Sequence, residues 1–140
     1  PKAANPPSIV SYIAVSDLDG SEVSSSEIKA LTERLRSELL MTKHFKVLER
    51  DIMEEILKEQ GFQQSGCTTS ECVVQIGQLV NVEKMVAGRI NKIGNTFSSS
   101  VRIIDITTGS IDKIVSFDYT GPIDELLKRG MKKIAIELTL

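Results

Sequence analysis

The sequence predicts a single α/β (α+β-like) domain in which helices pack on one mixed β-sheet. Three observations support this fold class. The chain opens with an apolar run, an amphipathic helical segment and a second apolar run, which is the pattern of a βαβ unit. Two more helical segments follow. Three strand-like segments joined by short turns, and a last helical segment, complete the order β-α-β-α-α-β-β-β-α.

Composition and charge limit the possible functions. A length of 140 residues suits one domain, and 41% apolar with 26% charged residues is the balance of an ordinary globular protein. The net charge is −2, with acids and bases interleaved and no basic block standing out, so we expect no nucleic-acid partner. No apolar run reaches the roughly 18 residues that a membrane-spanning helix needs.

The chain is expected to begin with a linker and a βαβ unit. Residues 1–8, rich in proline and alanine, predict an extended linker, and the first residue indicates a processed chain whose targeting segment lies outside this sequence. The domain is expected over residues 9–140. Its first strand runs from Ile9 to Val15 and ends in the turn-forming residues 16–20. The second strand, Phe45 to Leu48, is expected to lie parallel to it.

The helix between these strands is expected to start at Ser24, which forms a capping box with Glu27. Its apolar side chains recur at helical spacing and predict one buried stripe. The stripe consists of Ile28, Leu31, Leu35 and Leu39, opposite Lys29, Glu33 and Arg36.

Two helices are predicted in the middle of the chain. Asp51 is expected to cap the first, which stops at Gly61. Its apolar face is predicted to consist of Ile52, Met53, Ile56 and Leu57. Thr69 or Ser70 is expected to cap the second, which continues through Leu79 and is apolar on most sides. This second helix is therefore expected to be well buried.

The last half predicts an antiparallel meander and a closing helix. Its three strands are Lys84 to Ile93, Thr96 to Ile106 and Ile111 to Tyr119, joined at Gly94-Asn95 and Thr108-Gly109. Along the third strand, Ile111, Val115, Phe117 and Tyr119 are expected to share a face that Lys113 interrupts. The final helix is predicted from Ile123 to about Leu138, with apolar residues at Ile123, Leu127, Met131, Ile134 and Leu138.

The two cysteines, Cys67 and Cys72, lie five residues apart in a segment rich in glycine, serine and threonine. Inside one continuous helix this spacing holds the α-carbons too far apart for a disulfide. Closure becomes feasible if Cys67 lies in the loop and Cys72 in the first helical turn. We favour a disulfide worth on the order of 2 kcal/mol, in an oxidising compartment, over free thiols or a metal or catalytic role.

Asp17 and Asp19 raise a catalytic alternative. An apolar strand that ends in Asp-x-Asp-Gly resembles the first motif of haloacid-dehalogenase-type phosphotransferases, in which the first aspartate is the nucleophile, the second is the acid/base and Mg²⁺ neutralises the phosphate. Here strand two ends in Leu48-Glu49-Arg50 rather than in a serine or threonine, and no later strand ends in paired acids. We therefore expect both aspartates to shape a turn, with a Mg²⁺-dependent phosphohydrolase as the alternative.

Two other polar features are candidate sites. His44 is the only histidine and could pair with a cysteine, but a lone histidine before a strand is usually a surface residue. Glu49 and Arg50, at the end of strand two, predict either a local ion pair or an arginine fork that fixes a neighbouring loop or a partner subunit. We expect no catalytic residue, metal ion or cofactor, and we name Glu49 and Arg50 as candidate partner-binding residues.

The order and spacing of several segments resemble the CsgG-like family of envelope proteins, which is related to the curli secretion lipoprotein. The resemblance covers nearly the whole chain from residue 9 onward, and similar folds are known in LpoB and the amino-terminal domain of TolB. The segments are Ile13 to Val15, Leu31 to Leu39, Phe45 to Arg50, Ile56 to Gly61, Ala87 to Ile90 and Val101 to Gly109.

The resemblance implies a non-catalytic periplasmic domain that binds other envelope proteins. Such domains serve secretion, envelope biogenesis or the regulation of a wall enzyme, and a homo-oligomer is possible. The resemblance also implies tethering to the outer membrane through a lipid on an upstream cysteine outside this chain. Neither Cys67 nor Cys72 can be that anchor, because both lie within the domain.

Overall fold

The computed structural model describes residues 10–63, 67 and 69–140, so the predicted linker and Ile9 lie outside the described residues. The strands are β1 (Ser11–Val15), β2 (Asp19–Ser21), β3 (Phe45–Val47), β4 (Lys84–Ile93), β5 (Thr96–Asp105) and β6 (Ile111–Thr120). The helices are α1 (Ser25–Met41), α2 (Arg50–Glu59), α3 (Ser70–Val80), α4 (Ile123–Glu125), a π-helical turn (Leu126–Gly130) and α5 (Met131–Leu138). The predicted fold class and element order are confirmed, with β2 as an addition.

Within the described ranges, the six strands form one mixed sheet in the order β3-β1-β4-β5-β6, and β2 also pairs with β4. Strand β1 is parallel to both β3 and β4. Strands β4, β5 and β6 are antiparallel to one another, as the short turns predict. The parallel βαβ unit and the meander therefore share one sheet through the β1–β4 pair.

Two apolar clusters lie on opposite faces of this sheet. The first cluster joins α1, the π-helical turn and α5 to the sheet, with Leu35, Leu126 and Met131 fully buried. The second joins α2 and α3 to the other face, with Met53 and Ile76 among its buried members. Because alternate residues of a strand point to opposite faces, Ile13 belongs to the first cluster and its neighbour, residue 14, to the second.

The predicted capping box of α1 is present. The Ser24 Oγ accepts from the backbone N–H of Glu27 at 3.2 Å, and the Glu27 Oε1 accepts from the backbone N–H of Ser24 at 3.2 Å. The predicted exposure of Arg36 is wrong, because its side chain is buried and its Nη2 donates to the Val15 carbonyl at 3.0 Å. This bond attaches α1 to the end of β1.

The start of α2 differs from the prediction by two residues. Glu49, not Asp51, is the residue that precedes the helix, and Asp51 lies in the first turn, where the helix dipole favours an acid. The predicted apolar face was one residue too wide, because Ile52 is 45% exposed while Met53 is buried. The helix ends where expected, since Gly61 follows it with a positive φ of 67°.

Helix α3 begins at its predicted cap. The Thr69 hydroxyl accepts from the backbone N–H of Cys72 at 3.1 Å. The helix ends at Val80, and Asn81 follows it in the left-handed conformation with a φ of 60°. Asparagine tolerates this conformation better than most residues, which explains why the helix stops without a glycine.

Two predicted faces in the last half of the chain need correction. A bulge next to Ile104 pairs this residue with Ile111. Because Ile104 belongs to the second cluster, Ile111 points to that face of the sheet, where it is 45% exposed. Ile111 therefore does not share a face with Val115, contrary to the prediction. In the C-terminal helix the Met131 N–H donates to the carbonyl of Leu126, five residues earlier. This π-helical turn buries Leu126 completely, whereas the predicted residue 127 packs only partly against the first cluster.

Candidate partner-binding site

The candidate site starts at an irregularity between β1 and β2. Val15 pairs with Val86 and Asp19 pairs with Arg89, so three residues, 16–18, lie opposite two residues of β4. An extra residue in one strand of a pair makes a local bulge that redirects a side chain. The side chain redirected here is that of Asp17.

Backbone hydrogen bonds fix the chain on both sides of Asp17. The Ser16 N–H donates to the Val86 carbonyl at 2.8 Å, which holds the segment to β4. The Leu18 N–H donates to the Thr32 hydroxyl of α1 at 3.2 Å, and the Leu18 side chain is buried. Asp17 is therefore presented from a short, anchored segment.

Arg50 is the first residue of α2 and binds both carboxylate oxygens of Asp17. The Arg50 Nε donates to Oδ1 at 3.0 Å and its Nη2 donates to Oδ2 at 2.9 Å. Nη2 also lies 3.3 Å from a carboxylate oxygen of Glu54, one helical turn later. Such two-point charged contacts restrict both partners more than a single hydrogen bond does. The arginine fork thus holds the β1–β2 segment against the start of α2.

The electrostatics of Arg50 follow from these contacts. The hydrogen bond to Asp17 is the largest cause that raises the pKa of Arg50 above its ordinary value, and the charges of Asp17 and Glu54 act in the same direction. Partial burial opposes them. Glu49 is exposed immediately before the helix, and its side chain makes no capping hydrogen bond.

Asp17 and Arg50 form a ridge between two open clefts, which we call the Asp17–Arg50 ridge. The first cleft, of about 580 Å³, lies along α2, and the second, of about 340 Å³, lies between β2 and α1. Beyond the ridge, the first is lined by Glu54, Glu55, Lys58, Gly61, Phe62 and Gln63. Lining residues of the second include Leu18, Asp19, Gly20, Val23, Ile28 and Lys29. The ridge therefore borders a charged cleft on one side and a more apolar one on the other.

Asp19 contacts a different arginine. The Arg89 Nη1 donates to its Oδ2 at 2.8 Å, and the Arg89 Nε donates to the Asn91 side chain at 3.1 Å. The two aspartates that the phosphohydrolase alternative requires are thus held by arginines of α2 and β4. Within the ranges that the structure describes, no three His, Cys, Asp or Glu side chains lie close enough together to hold a metal ion. This arrangement gives the alternative no support.

The cysteines and the histidine lie apart from the ridge. Cys67 and Cys72 form a disulfide with a Cα–Cα distance of 5.5 Å, joining the loop to the first turn of α3 as the favoured prediction required. Since both sulfur atoms are in the disulfide, neither is a thiolate that His44 could activate. His44 is exposed beside the carboxyl end of α1.

Sequence reasoning identified Arg50 but missed its contact with Asp17. The two residues lie 33 positions apart, and only the fold brings them together. A signal was nonetheless available. Asp17 follows β1 and Arg50 follows β3, and the carboxyl ends of parallel neighbouring strands meet at the same edge of a sheet.

The fold and this junction define a class of protein: a small α/β domain with one mixed sheet between two helical layers and open clefts at the carboxyl ends of its parallel strands. The chain belongs to the family of the curli production assembly/transport component CsgG, which matches residues 10–102. No curated protein matches the chain. In the part of the chain that the structure describes, no helix has the length and apolar content to cross a membrane.

Solved structures share this fold at low sequence identity. The LpoB C-terminal domain from Salmonella enterica has a TM-score of 0.68 and 15% identity, covering 80% of this chain and 84% of that one. Lipoprotein GNA1162 from Neisseria meningitidis has a TM-score of 0.67 and 12% identity, covering 92% and 94%. A PelC dodecamer from Paraburkholderia phytofirmans has a TM-score of 0.58 and 9% identity, covering 91% and 85%.

Proposed function

We propose that the chain is a non-catalytic protein-interaction and assembly domain of a bacterial cell-envelope component. Its family is named for a production assembly/transport component, and LpoB and GNA1162 have similar folds. The process served would be secretion, envelope biogenesis or the regulation of a wall enzyme. Fold alone does not determine function, so the proposal rests on what the surface of this chain offers a partner.

We place the domain in the periplasm, tethered to the outer membrane by a lipid outside this sequence. The Cys67–Cys72 disulfide supports an oxidising compartment. The similarity to a protein described as a lipoprotein supports the tether.

The Asp17–Arg50 ridge is the observation that carries the proposal. The side chains of Asp17 and Arg50 are 38% and 24% exposed, so the ridge is accessible although its geometry is fixed. A pre-organised polar surface loses little conformational entropy when a partner binds. Exposed Glu49 extends this surface, and Phe62 supplies an aromatic group in the cleft along α2. We propose that a protein partner contacts Glu49 and Arg50 and follows this cleft.

A site-specific crosslinking experiment tests the surface. A photo-crosslinkable residue replaces exposed Glu55 in the cleft, in cells that express the full-length protein. We expect one discrete protein adduct, identifiable by mass spectrometry. The same residue in place of Asp124, which is exposed on α4 at the other helical layer, should not give this adduct.

Two variants of Arg50 connect the adduct to the ridge. Arg50→Ala should reduce the crosslinking yield at residue 55, and Arg50→Lys should restore little of it, because lysine retains the charge but not the two-point geometry. Thermal unfolding of each variant shows whether the fold survives. An adduct that is absent, that forms equally at residue 124, or that is unchanged in folded Arg50→Ala would refute the proposed surface.

A second copy of the chain is a possible partner, since a protein of similar fold, PelC, forms a dodecamer. An adduct of twice the chain mass at residue 55 would identify this case. Analytical ultracentrifugation of the wild-type protein and Arg50→Ala would then measure whether the ridge holds the copies together.

A further inference from the structure

The carboxyl-terminal part of the chain carries a concentrated positive charge on the opposite helical layer. Lys128, Arg129, Lys132 and Lys133 place four bases within six residues, although acids and bases are interleaved over the chain as a whole. They lie on the π-helical turn and the first turn of α5, and all four are exposed. This cluster was not recognised from the sequence.

Exposed apolar side chains lie among these bases. Ile136 on α5 is 45% exposed, and Met41 at the end of α1 is 62% exposed. Two shallow clefts adjoin here, one containing Met41 and the other Lys128, and both are lined by Lys132 and Ile136. We call the four bases together with Ile136 and Met41 the α5 surface.

Nearby acids only partly offset this charge. Glu125 lies 3.2 Å from the Nε of Arg129, and Glu137 lines the same cleft as the bases. Glu38, in the adjoining cleft, is held by Arg34 at 2.9 Å. The α5 surface therefore stays positive in a chain whose net charge is −2.

The composition of this surface indicates what covers it. Protein–protein interfaces are enriched in aromatic residues and depleted in lysine. By contrast, three of the four bases here are lysines, and within the described residues no Phe, Tyr or Trp lines either cleft; the nearby ring of Phe117 lies beneath Lys133, with its centre 5.7 Å from the Nζ. Bases around protruding aliphatic side chains match the boundary of an anionic bilayer, where phosphates contact the charges and apolar groups enter the acyl region. Long lysine side chains reach from such a helix to the phosphates.

We propose that the α5 surface docks the domain onto an anionic phospholipid membrane. This departs from the expectation that membrane attachment occurs only through a lipid anchor outside the chain. Because α5 packs on one face of the sheet and α2 on the other, docking leaves the Asp17–Arg50 ridge accessible. The proposal therefore does not depend on the proposed function.

Co-sedimentation with vesicles tests the proposal. The wild-type protein should bind vesicles of equal parts phosphatidylglycerol and phosphatidylcholine, and bind pure phosphatidylcholine much more weakly. Binding should weaken as salt is added, because salt screens the attraction between these solvent-exposed bases and the lipid phosphates. Lys128→Gln/Lys132→Gln should reduce the partition coefficient by about twenty-five-fold, roughly fivefold for each charge.

Two further variants separate specific docking from general charge. Lys46→Gln/Lys92→Gln removes the same net charge from exposed positions on β3 and β4 and should leave binding within about twofold of wild type. Ile136→Ser should weaken binding by about fifteenfold even at high salt, since the half-exposed side chain transfers roughly two methylene equivalents into the bilayer and each is worth about fourfold. Circular dichroism confirms that each variant is folded.

Several results would overturn the proposal. The proposal is wrong if the protein binds both vesicle compositions equally or binds neither. It is also wrong if the two double-lysine variants lose the same amount of vesicle binding.

Binding to soluble polyglutamate tests for an acidic polypeptide as the partner. If it binds the wild-type protein as tightly as the vesicles do and loses affinity equally in Lys128→Gln/Lys132→Gln, the partner is an acidic polypeptide and the membrane proposal is wrong.

Discussion

The two faces of the sheet differ in how much of them the helices cover. On the first face, α1 and α5 cover apolar residues from β1 to β6 and along the full length of the meander, including Phe97 near the β4–β5 turn. On the second face, α2 and α3 cover the sheet only around residues such as Met85 and Ile104. Farther along that face, the Ser98 hydroxyl donates to Asp118 at 2.7 Å, and the uncovered side chains are mostly polar, with Ile93 and Ile114 exposed among them.

This difference indicates a division of roles. A face that is fully covered by helices contributes most of the buried apolar area and therefore most of the stability. A face that is half covered leaves helix ends, clefts and polar strand residues accessible. Arg50 of the Asp17–Arg50 ridge begins α2, a helix of the less covered side, and the cleft along α2 lets a partner contact the ridge without displacing the larger core.

The largest effect that tests this division comes from two matched leucines. Leu35 of α1 is completely buried in the first cluster, and Leu57 of α2 is 2% exposed in the second. We expect Leu35→Ala to lower the free energy of unfolding by about 4 kcal/mol and Leu57→Ala by about 2.5 kcal/mol. The smaller value follows from the shorter helix and the open surroundings of α2, which can collapse around the deletion. Urea unfolding of both variants measures the difference.

The m-value provides the control for this comparison, because it shows whether either variant changes the surface exposed on unfolding. Equal losses for the two variants, or a larger loss for Leu57→Ala, would mean that the second layer carries as much of the stability as the first. The division of roles between the two faces would then be wrong.

The sequence predicted the elements well where periodicity determines them. The stripe of α1, its capping box and the two hairpins of the meander each follow from residues close together in the chain. Strand β2 could not be predicted this way, because Asp19-Gly20-Ser21 has low strand propensity and is held by pairing with β4. Arg36 was misplaced for a related reason, since its partner is the carbonyl of Val15 in another element.

An intermediate effect distinguishes the two arginine–aspartate pairs. A double-mutant cycle with Arg50→Ala and Asp17→Asn should give a coupling free energy of about 1 kcal/mol, because the contact has two points and is partly buried. The same cycle with Arg89→Ala and Asp19→Asn should give less than about 0.5 kcal/mol, since Arg89 is 52% exposed.

The salt dependence of the two coupling free energies further distinguishes the two pairs. Added salt should reduce the coupling of Arg89 with Asp19 more than that of Arg50 with Asp17, because solvent-exposed charges are screened more. A weaker coupling in the Arg50 cycle than in the Arg89 cycle would contradict a fixed ridge.

The site also shows what sequence reasoning cannot predict. Arg50 was recognisable at an element junction, but its partner Asp17 could be identified only from the pairing of β1 with β3.

The smallest expected effect is a shift in the pKa of Tyr119, at the edge of the face that α1 and α5 cover. Tyr119 of the edge strand β6 packs partly against the first cluster. Its partial desolvation, followed by the charges of Glu125 and Asp124, raises the pKa of the phenol above its ordinary value of 10.0, and Arg129 acts in the opposite direction. In a Tyr12→Phe background, which leaves one tyrosine, the absorbance of the phenolate should therefore appear at a higher pH in the folded chain than in the urea-unfolded chain.

The sign of the associated stability change follows from linkage. Because the folded state holds the Tyr119 proton more tightly, the unfolded chain loses it first as the pH rises. This contribution to stability is complete below the unfolded pKa and is lost as the pH rises through the higher folded pKa. When urea unfolding is measured at a series of pH values, Tyr119→Phe should remove this part of the loss of stability at alkaline pH. A folded-state titration at or below the unfolded one would show that the covered face does not extend to the edge strand.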